Sequence, residues 1–356
     1  MKRSARMLGL IALTLFVLGL AGPTVAFAGG ETRVGTNAAA ELTIPVGARD
    51  LALGGSSIAT TSGIDAIFWN PAGLARSKYG ANAMFSHMSY IADIGVEYVA
   101  VSAAFEGLGS LGISLKTLSI GNIDITTEDS PDGTGEVMSP TMVNLGLTYS
   151  KLLTDRISVG TTFNVISEQF DKVSSNGFAF SAGVQYSGLG GVNGLSLGVA
   201  VKNIGPQMKF DGDGLLRSGN ANDVLRPNSF YRVTAASYEL PSTIELGLAY
   251  KVDVGEQNAV NITGLFQNNN FAGDEYKLGA EYAFNNMFFV RAAYGFSQST
   301  EDKSLPVDDK STNIYGFTAG AGVNYEIEGA TVSFNYAYRA TKFFDANHII
   351  SIGIGF

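Results

Sequence analysis

From residue 80 to the end of the chain, apolar and polar residues alternate almost without a break. A period of two belongs to strands whose two faces meet different surroundings. Val332, Phe334, Tyr336 and Tyr338 share one face, against Thr331, Ser333, Asn335 and Arg339. Phe288, Val290, Ala292, Tyr294 and Phe296 oppose Arg291, Ala293 and Gly295 in the same way. The pattern predicts fourteen strands, at 80–91, 94–106, 109–121, 139–151, 155–170, 176–187, 194–204, 240–252, 257–268, 273–284, 286–297, 313–326, 329–341 and 346–356. Each is long enough to cross a bilayer at a tilt, which takes roughly 9–11 residues.

Alternation alone fits a soluble β protein as well as a transmembrane barrel, and three features favour the barrel. The charges Lys116, Glu168, Lys202, Glu245, Lys251, Lys277, Glu281, Arg291, Glu326 and Arg339 all fall on the polar face of their strands. A lipid-facing wall demands this, because a charge at the bilayer midplane costs about 2–4 kcal/mol. Aromatic residues crowd the strand ends, as at Tyr149, Tyr186, Tyr250, Phe284, Phe296, Tyr325 and Tyr338. The connections alternate between short ones and three long ones, 122–138, 205–239 and 298–312. Short periplasmic turns and long outer loops are the pattern of an outer-membrane barrel. The expected fold is therefore an all-β, antiparallel transmembrane barrel of about 14 strands in the outer membrane of a bacterial cell, in contact with its lipid. The first two strands alternate poorly, and Glu97 shares the parity of Val99 and Val101. Lys151 and His348 also sit on apolar parities, near strand ends.

Composition narrows the chemistry. Charged residues make up 15% of the chain, against roughly 25% in a typical soluble protein. A net charge of −9 argues against nucleic acid as a partner. There is no cysteine, and His87 and His348 are the only histidines. No catalytic set, metal site or cofactor is expected, and the chain reads as a non-enzymatic protein. Gly107-Leu108-Gly109-Ser110-Leu111-Gly112 has the spacing of a nucleotide loop, but strand residues follow it where a helix would be needed. Asp211-Gly212-Asp213-Gly214 opens like a calcium loop and lacks the closing glutamate.

Residues 1–28 read as a signal peptide. Lys2, Arg3 and Arg6 precede an apolar stretch, Met7 to Gly22, and Ala26-Phe27-Ala28 predicts cleavage before Gly29. Residues 80–356 then form the barrel, and 29–79 remain between them. That segment does not alternate and is rich in glycine. A fourteen-stranded lumen is too wide for its own side chains to fill, so residues 29–79 are expected to enter from the periplasmic side and plug it. Arg49 should then lie near wall carboxylates, with Glu245 and Glu281 the candidates by parity.

Within this segment stand Gly47-Ala48-Arg49, then Gly54-Gly55, then Asp65 and the run Phe68-Trp69-Asn70-Pro71-Ala72-Gly73-Leu74. These residues resemble the N-terminal hatch of the FadL superfamily of outer-membrane barrels, and within it most resemble the PorV/PorQ family. The chain departs from relatives at Thr60-Thr61-Ser62-Gly63, where they tend to carry acidic residues. The resemblance implies a fourteen-stranded barrel with an internal hatch, acting in type IX protein secretion with a translocon and its exported proteins as partners. The FadL alternative implies transport of fatty acids or other hydrophobic small molecules.

Two further sites are expected. Ile350, Ile352, Ile354 and Phe356 form an apolar row ending on an aromatic residue, which resembles the signal read by barrel-assembly machinery. The outer loop 205–239 carries Phe210, Leu215, Leu216, Leu225, Phe230 and Tyr231, an apolar set suited to docking a partner.

Overall fold

A computed structural model describes residues 33–219, 229–297 and 314–356. The predicted signal peptide and Leu225 lie outside the described residues. Fourteen antiparallel strands close into one barrel. They are β1 (Ala81–Ser89), β2 (Gly95–Phe105), β3 (Gly109–Ser119), β4 (Thr141–Leu152), β5 (Ile157–Phe170), β6 (Val173–Ser187) and β7 (Leu195–Ile204). The second half comprises β8 (Thr243–Val254), β9 (Asn258–Asn269), β10 (Glu275–Phe284), β11 (Phe288–Ser297), β12 (Tyr315–Ile327), β13 (Ala330–Thr341) and β14 (Asn347–Gly355). All fourteen match the sequence expectation, with edges within three residues.

Each strand pairs with its sequence neighbours, and β1 pairs with β14 to close the ring through Met84↔Gly353 and Ser86↔Ser351. The backbone of Phe356 completes the seam by accepting from Gly80 N–H at 2.7 Å and donating to Ala81 at 2.9 Å. Closure leaves no unpaired edge, a condition for any sheet in hydrocarbon.

The outward face carries Phe85, Val99, Ile113, Leu115, Leu145, Leu147, Val165 and Ile352. Lys116, Glu168, Lys202, Glu245, Arg291 and Arg339 are buried in the lumen, as parity predicts. The outer part of β1 and β2 does alternate, and Glu97 faces outward to meet His87 at 2.6 Å. Tyr250 departs from the expected aromatic girdle: it is buried, beside Gly194 of the 188–194 turn.

The lumen is filled by the chain before β1, in a run of short helical turns: Ala40–Thr43, Ala48–Leu51, Gly63–Asp65, Ala66–Trp69 and Pro71–Arg76. Ile44, Val46, Leu51, Ile67, Trp69 and Leu74 pack on Met84, Met88, Val96, Leu118 and Ile349 of the wall. A second cluster joins Ala38, Ala39 and Leu42 to Ile166, Ala179, Met208 and Leu240. These last four lie at the end of the barrel that bears the long connections, which is the outer end. The plug therefore reaches the outer mouth at residues 33–43, then descends to the periplasmic end. There Arg76 donates to Ser158 Oγ at 2.7 Å and Ser187 Oγ at 2.9 Å.

Candidate functional site

The motif residues expected to define the hatch converge inside the barrel. Asn70 is fully buried and serves as the pin. Its amide donates to Ile58 O at 2.8 Å and Val184 O at 3.2 Å, and its Oδ1 caps the next turn by accepting from Ala72 N at 3.2 Å. A donor and an acceptor on one short side chain are what this position requires. Pro71 follows at the first position of the turn, where no amide hydrogen is needed. The wall yields to the pin at Gly183, where a Cβ would collide with Asn70 Oδ1, and at Gly160, where it would strike the Pro71 backbone.

Trp69 donates its indole N–H to Val46 O at 3.0 Å and stands edge-on to Phe68, with centroids 5.1 Å apart. Its ring lies against Gly55, whose φ of +80° and lack of Cβ both suit glycine. Ala72 O accepts from Ser150 Oγ at 3.0 Å, and Leu74 packs against Gly112 of β3. Gly73 sits under Thr61 O, where a Cβ has no room. Ala48 N donates to Ser351 Oγ at 3.1 Å. Gly47 sits beside Asp65, and Gly54 beside Ala293 of β11.

Arg49 lies in the lumen, but its ion pair is with Asp65 of the hatch, at 3.9 Å. Glu281 instead binds Arg291 Nε at 2.6 Å and reaches Arg49 only through its field. Glu245 is not a partner of Arg49: it pairs with Lys202 at 3.0 Å. Register explains this, since Thr243 faces Lys202 across β7 and β8 and Glu245 is the next inward residue. Burial, and then the Asp50 charge, push the Asp65 carboxyl up to about 6.

Glu41 gave no signal in the sequence. It is 1% exposed, and neither carboxylate oxygen has a hydrogen-bond partner. Burial, and then the neighbouring Glu168 carboxylate, push it up to about 7. Lys116 lies close by, donating to the backbone oxygens of Glu41, at 2.5 Å, and Ile44.

The hatch divides the lumen into two chambers. The outer one, of about 350 Å³, is lined by Leu42, Leu51, Phe68, Trp69 and Phe271 on its apolar side. Its polar side holds the pairs Lys202–Glu245 and Lys277–Glu275, and Arg339 stacked 3.5 Å over Tyr315. The inner one, of about 330 Å³, lies beside the Arg49 network. Thr318 Oγ1 donating to Ala52 O at 3.2 Å marks the septum between them.

Outside the wall, the loop between β7 and β8 builds on the projecting β5–β6 hairpin. Ser174 bridges Asp211, and Phe210 packs edge-on against Phe170. Leu216–Gly219 then pairs with Ser229–Arg232. Phe230 is 78% exposed, and Leu216 and Tyr231 are exposed with it, while Leu215 is half-buried. Asp211 and Asp213 face Arg232 at 2.9 and 3.8 Å, so both acids of the Asp211-Gly212-Asp213-Gly214 run are ion-paired. The Gly212 N–H and then Arg232 hold Asp211 below the usual carboxylate range. On β14, Ile350, Ile352 and Phe356 face outward, and Ile354 is half-buried.

Two toluene transporters of known structure share this architecture. The toluene transporter TbuX of Ralstonia pickettii is 13% identical at a TM-score of 0.53, covering 88% of this chain and 98% of its own. The toluene transporter TodX of Pseudomonas putida is 12% identical at 0.51, covering 85% and 96%. A FadL homologue of Pseudomonas aeruginosa is 10% identical at 0.48, covering 87% and 98%. No curated protein matches the sequence. The family described as Type IX secretion system protein PorV matches residues 27–230, more than half of the chain. With that match and its closed lipid-facing barrel, the protein is an outer-membrane protein of a bacterial cell, and it belongs to the PorV family.

Proposed function

We propose that this barrel is a non-enzymatic component of type IX secretion that engages a translocon or an exported protein through its outer loop. The observation that carries the reading is the projecting ladder Leu216–Gly219/Ser229–Arg232, which leaves Phe230 and Tyr231 uncovered. Exposed aromatics on a pinned hairpin are the kind of anchor that interfaces use. A plug that meets the wall on nearly every side suits a scaffold better than an open pore. Replacing 215–233 with a tight turn removes the ladder, keeps Met208, Glu239 and Leu240 against the hatch, and should spare the barrel, because loop closure depends only weakly on length. It should abolish co-purification with the translocon or with exported protein, while export falls.

A second reading, transport of a hydrophobic small molecule, is favoured by the outer chamber with Phe68, Trp69 and Phe271 on its wall. It predicts that the shortened loop leaves export intact and that Leu51→Asp reduces uptake of a hydrophobic compound. Normal export in the loop variant, with uptake lost in Leu51→Asp, rejects the first reading.

A further inference from the structure

The inner chamber opens at the periplasmic end, among the first residues of β1, β11 and β13 and the last of β10 and β14. Its wall carries a cross-strand row on one face: Lys251 opposite Asn261, Asn261 opposite Glu281, and Glu281 opposite Arg291. The hatch forms the facing side with Arg49 and Asp65, and Lys78 stands at the mouth. Four cations thus line the space, against two carboxylates, with Asp50 as a third carboxylate behind Arg49.

Those carboxylates leave the cations incompletely matched. Glu281 is taken up by Arg291, whose Nη1 also donates to Asn335 Oδ1 at 2.9 Å. Asp65 meets Arg49 only at 3.9 Å. Asp50 accepts from the hydroxyls of Ser57 and Thr61, at 2.5 and 2.9 Å, and its charge acts on Arg49 and Arg291 from behind the chamber wall. Lys251 has Asp253 at 3.6 Å, with both side chains more than half exposed, so that pair contributes little. A cleft with walls of low dielectric concentrates such a field on whatever enters. Guanidinium groups hold planar or tetrahedral oxyanions through two parallel hydrogen bonds. Ala52 and Gly54 press on the wall between this chamber and the outer one. The inner chamber's volume of about 330 Å³ is that of a small-molecule site, which starts at about 300 Å³.

We propose that this chamber binds a small multivalent oxyanion from the periplasm, with Arg49, Lys251 and Arg291 as its cationic wall. The closed barrel separates the chamber from lipid, so the anion is a dissolved solute and not a lipid headgroup.

The test is calorimetric titration of the folded full-length barrel in a zwitterionic detergent, with inorganic phosphate in one arm and citrate in the other. Saturable binding in at least one arm, weakened by sodium chloride, is expected, and the responding arm names phosphate or carboxylate as the preferred chemistry. Lys251→Gln removes a cation from a solvated position and should weaken binding about two- to fivefold, the range of exposed charge pairs. Asp65→Asn removes a competing carboxylate and should tighten binding by a similar factor. Heat-modifiable migration confirms that each variant is folded, and opposite signs in the two variants are not a result that damage to the fold produces. No saturable binding in either arm overturns the proposal, as does an affinity that neither substitution moves.

Discussion

At the scale of single residues, Asn70 and Glu41 act on the hatch in opposite ways: Asn70 is hydrogen-bonded through both amide atoms, and Glu41 is buried against the carboxyl of Glu168. Asn70→Ala removes two donated bonds to backbone oxygens and the cap on Ala72. Leaving buried acceptors unpaired costs about 1–3 kcal/mol. Asn70→Asp should cost more, because it sets a carboxyl oxygen against the oxygens of Ile58 and Val184. Trp69 is the only tryptophan in the chain, so its emission reports the hatch. Thermal unfolding followed by that emission should rank wild type above Ala and Ala above Asp, and an unshifted Asn70→Ala midpoint would remove Asn70 as the pin. Glu41 is held near 7 in the folded protein, against 4.5 for the free side chain. The folded state therefore keeps a proton that the unfolded chain releases, and hatch stability falls as pH rises from 4.5 through 7. Asp65 acts in the same direction between 3.8 and about 6. In Glu41→Gln the slope between pH 6 and 7 should flatten and the midpoint at pH 7 should rise. A slope unchanged in that window would mean that Glu41 does not titrate there. The sequence revealed Asn70 because Asn-Pro at the start of a turn has a local meaning. It was silent about Glu41, whose environment is made by Glu168 and Lys116, far away in the chain.

At the scale of elements, the strands were legible because each must show one face to lipid and the other to the lumen, and that demand is written at every second residue. The sequence offers Glu281 to Arg49, whereas the β10–β11 hairpin sets it opposite Arg291. The path of the hatch was not legible. Its turns are three to six residues long, too short to leave a period, and their positions are fixed by contacts such as Asn70 with Val184. The expected association of Arg49 with Glu245 failed for a related reason. Parity gives the face of a strand, whereas the height at which a plug residue meets the wall depends on the fold of the plug. The last strand permits a test of its own. Phe356 exchanges backbone bonds with Gly80 and Ala81 at the seam, and Ile350, Ile352 and Phe356 present side chains outward. Deleting Phe356 should lower the yield of folded barrel measured by heat-modifiable migration. A yield equal to wild type would count against the row as an assembly signal.

At the scale of the whole molecule, the hatch links the two ends of the barrel instead of merely stopping one. Its leading segment is bound at the outer mouth, where Ala38 N donates to Glu239 O at 2.9 Å and Arg33 meets the Glu239 carboxylate at 2.7 Å. Arg33 also lies 4.3 Å over the ring of Phe271. Glu239 closes the long outer loop, so the loop proposed to meet a partner and the plug inside the lumen share a joint. This placement differs from a plug that enters at the periplasmic end and stays there, and the two arrangements can be told apart in living cells. The chain contains no cysteine, so a single introduced thiol reports one place. Val34 is 58% exposed at the outer mouth, and Gly255 lies in the short turn between β8 and β9 at the other end. Val34→Cys should react with a membrane-impermeant maleimide on intact cells, as should Asp129→Cys in the long β3–β4 connection. Gly255→Cys should react only after the outer membrane is breached. Removing the ion pair by Glu239→Gln should raise the labelling rate at Val34→Cys, because the leading segment loses one of its ties while the wall is unchanged. Protection of Val34→Cys in intact cells, with Asp129→Cys labelled normally, would show that residues 33–43 do not reach the outer mouth, and the joint between loop and plug would fall with it.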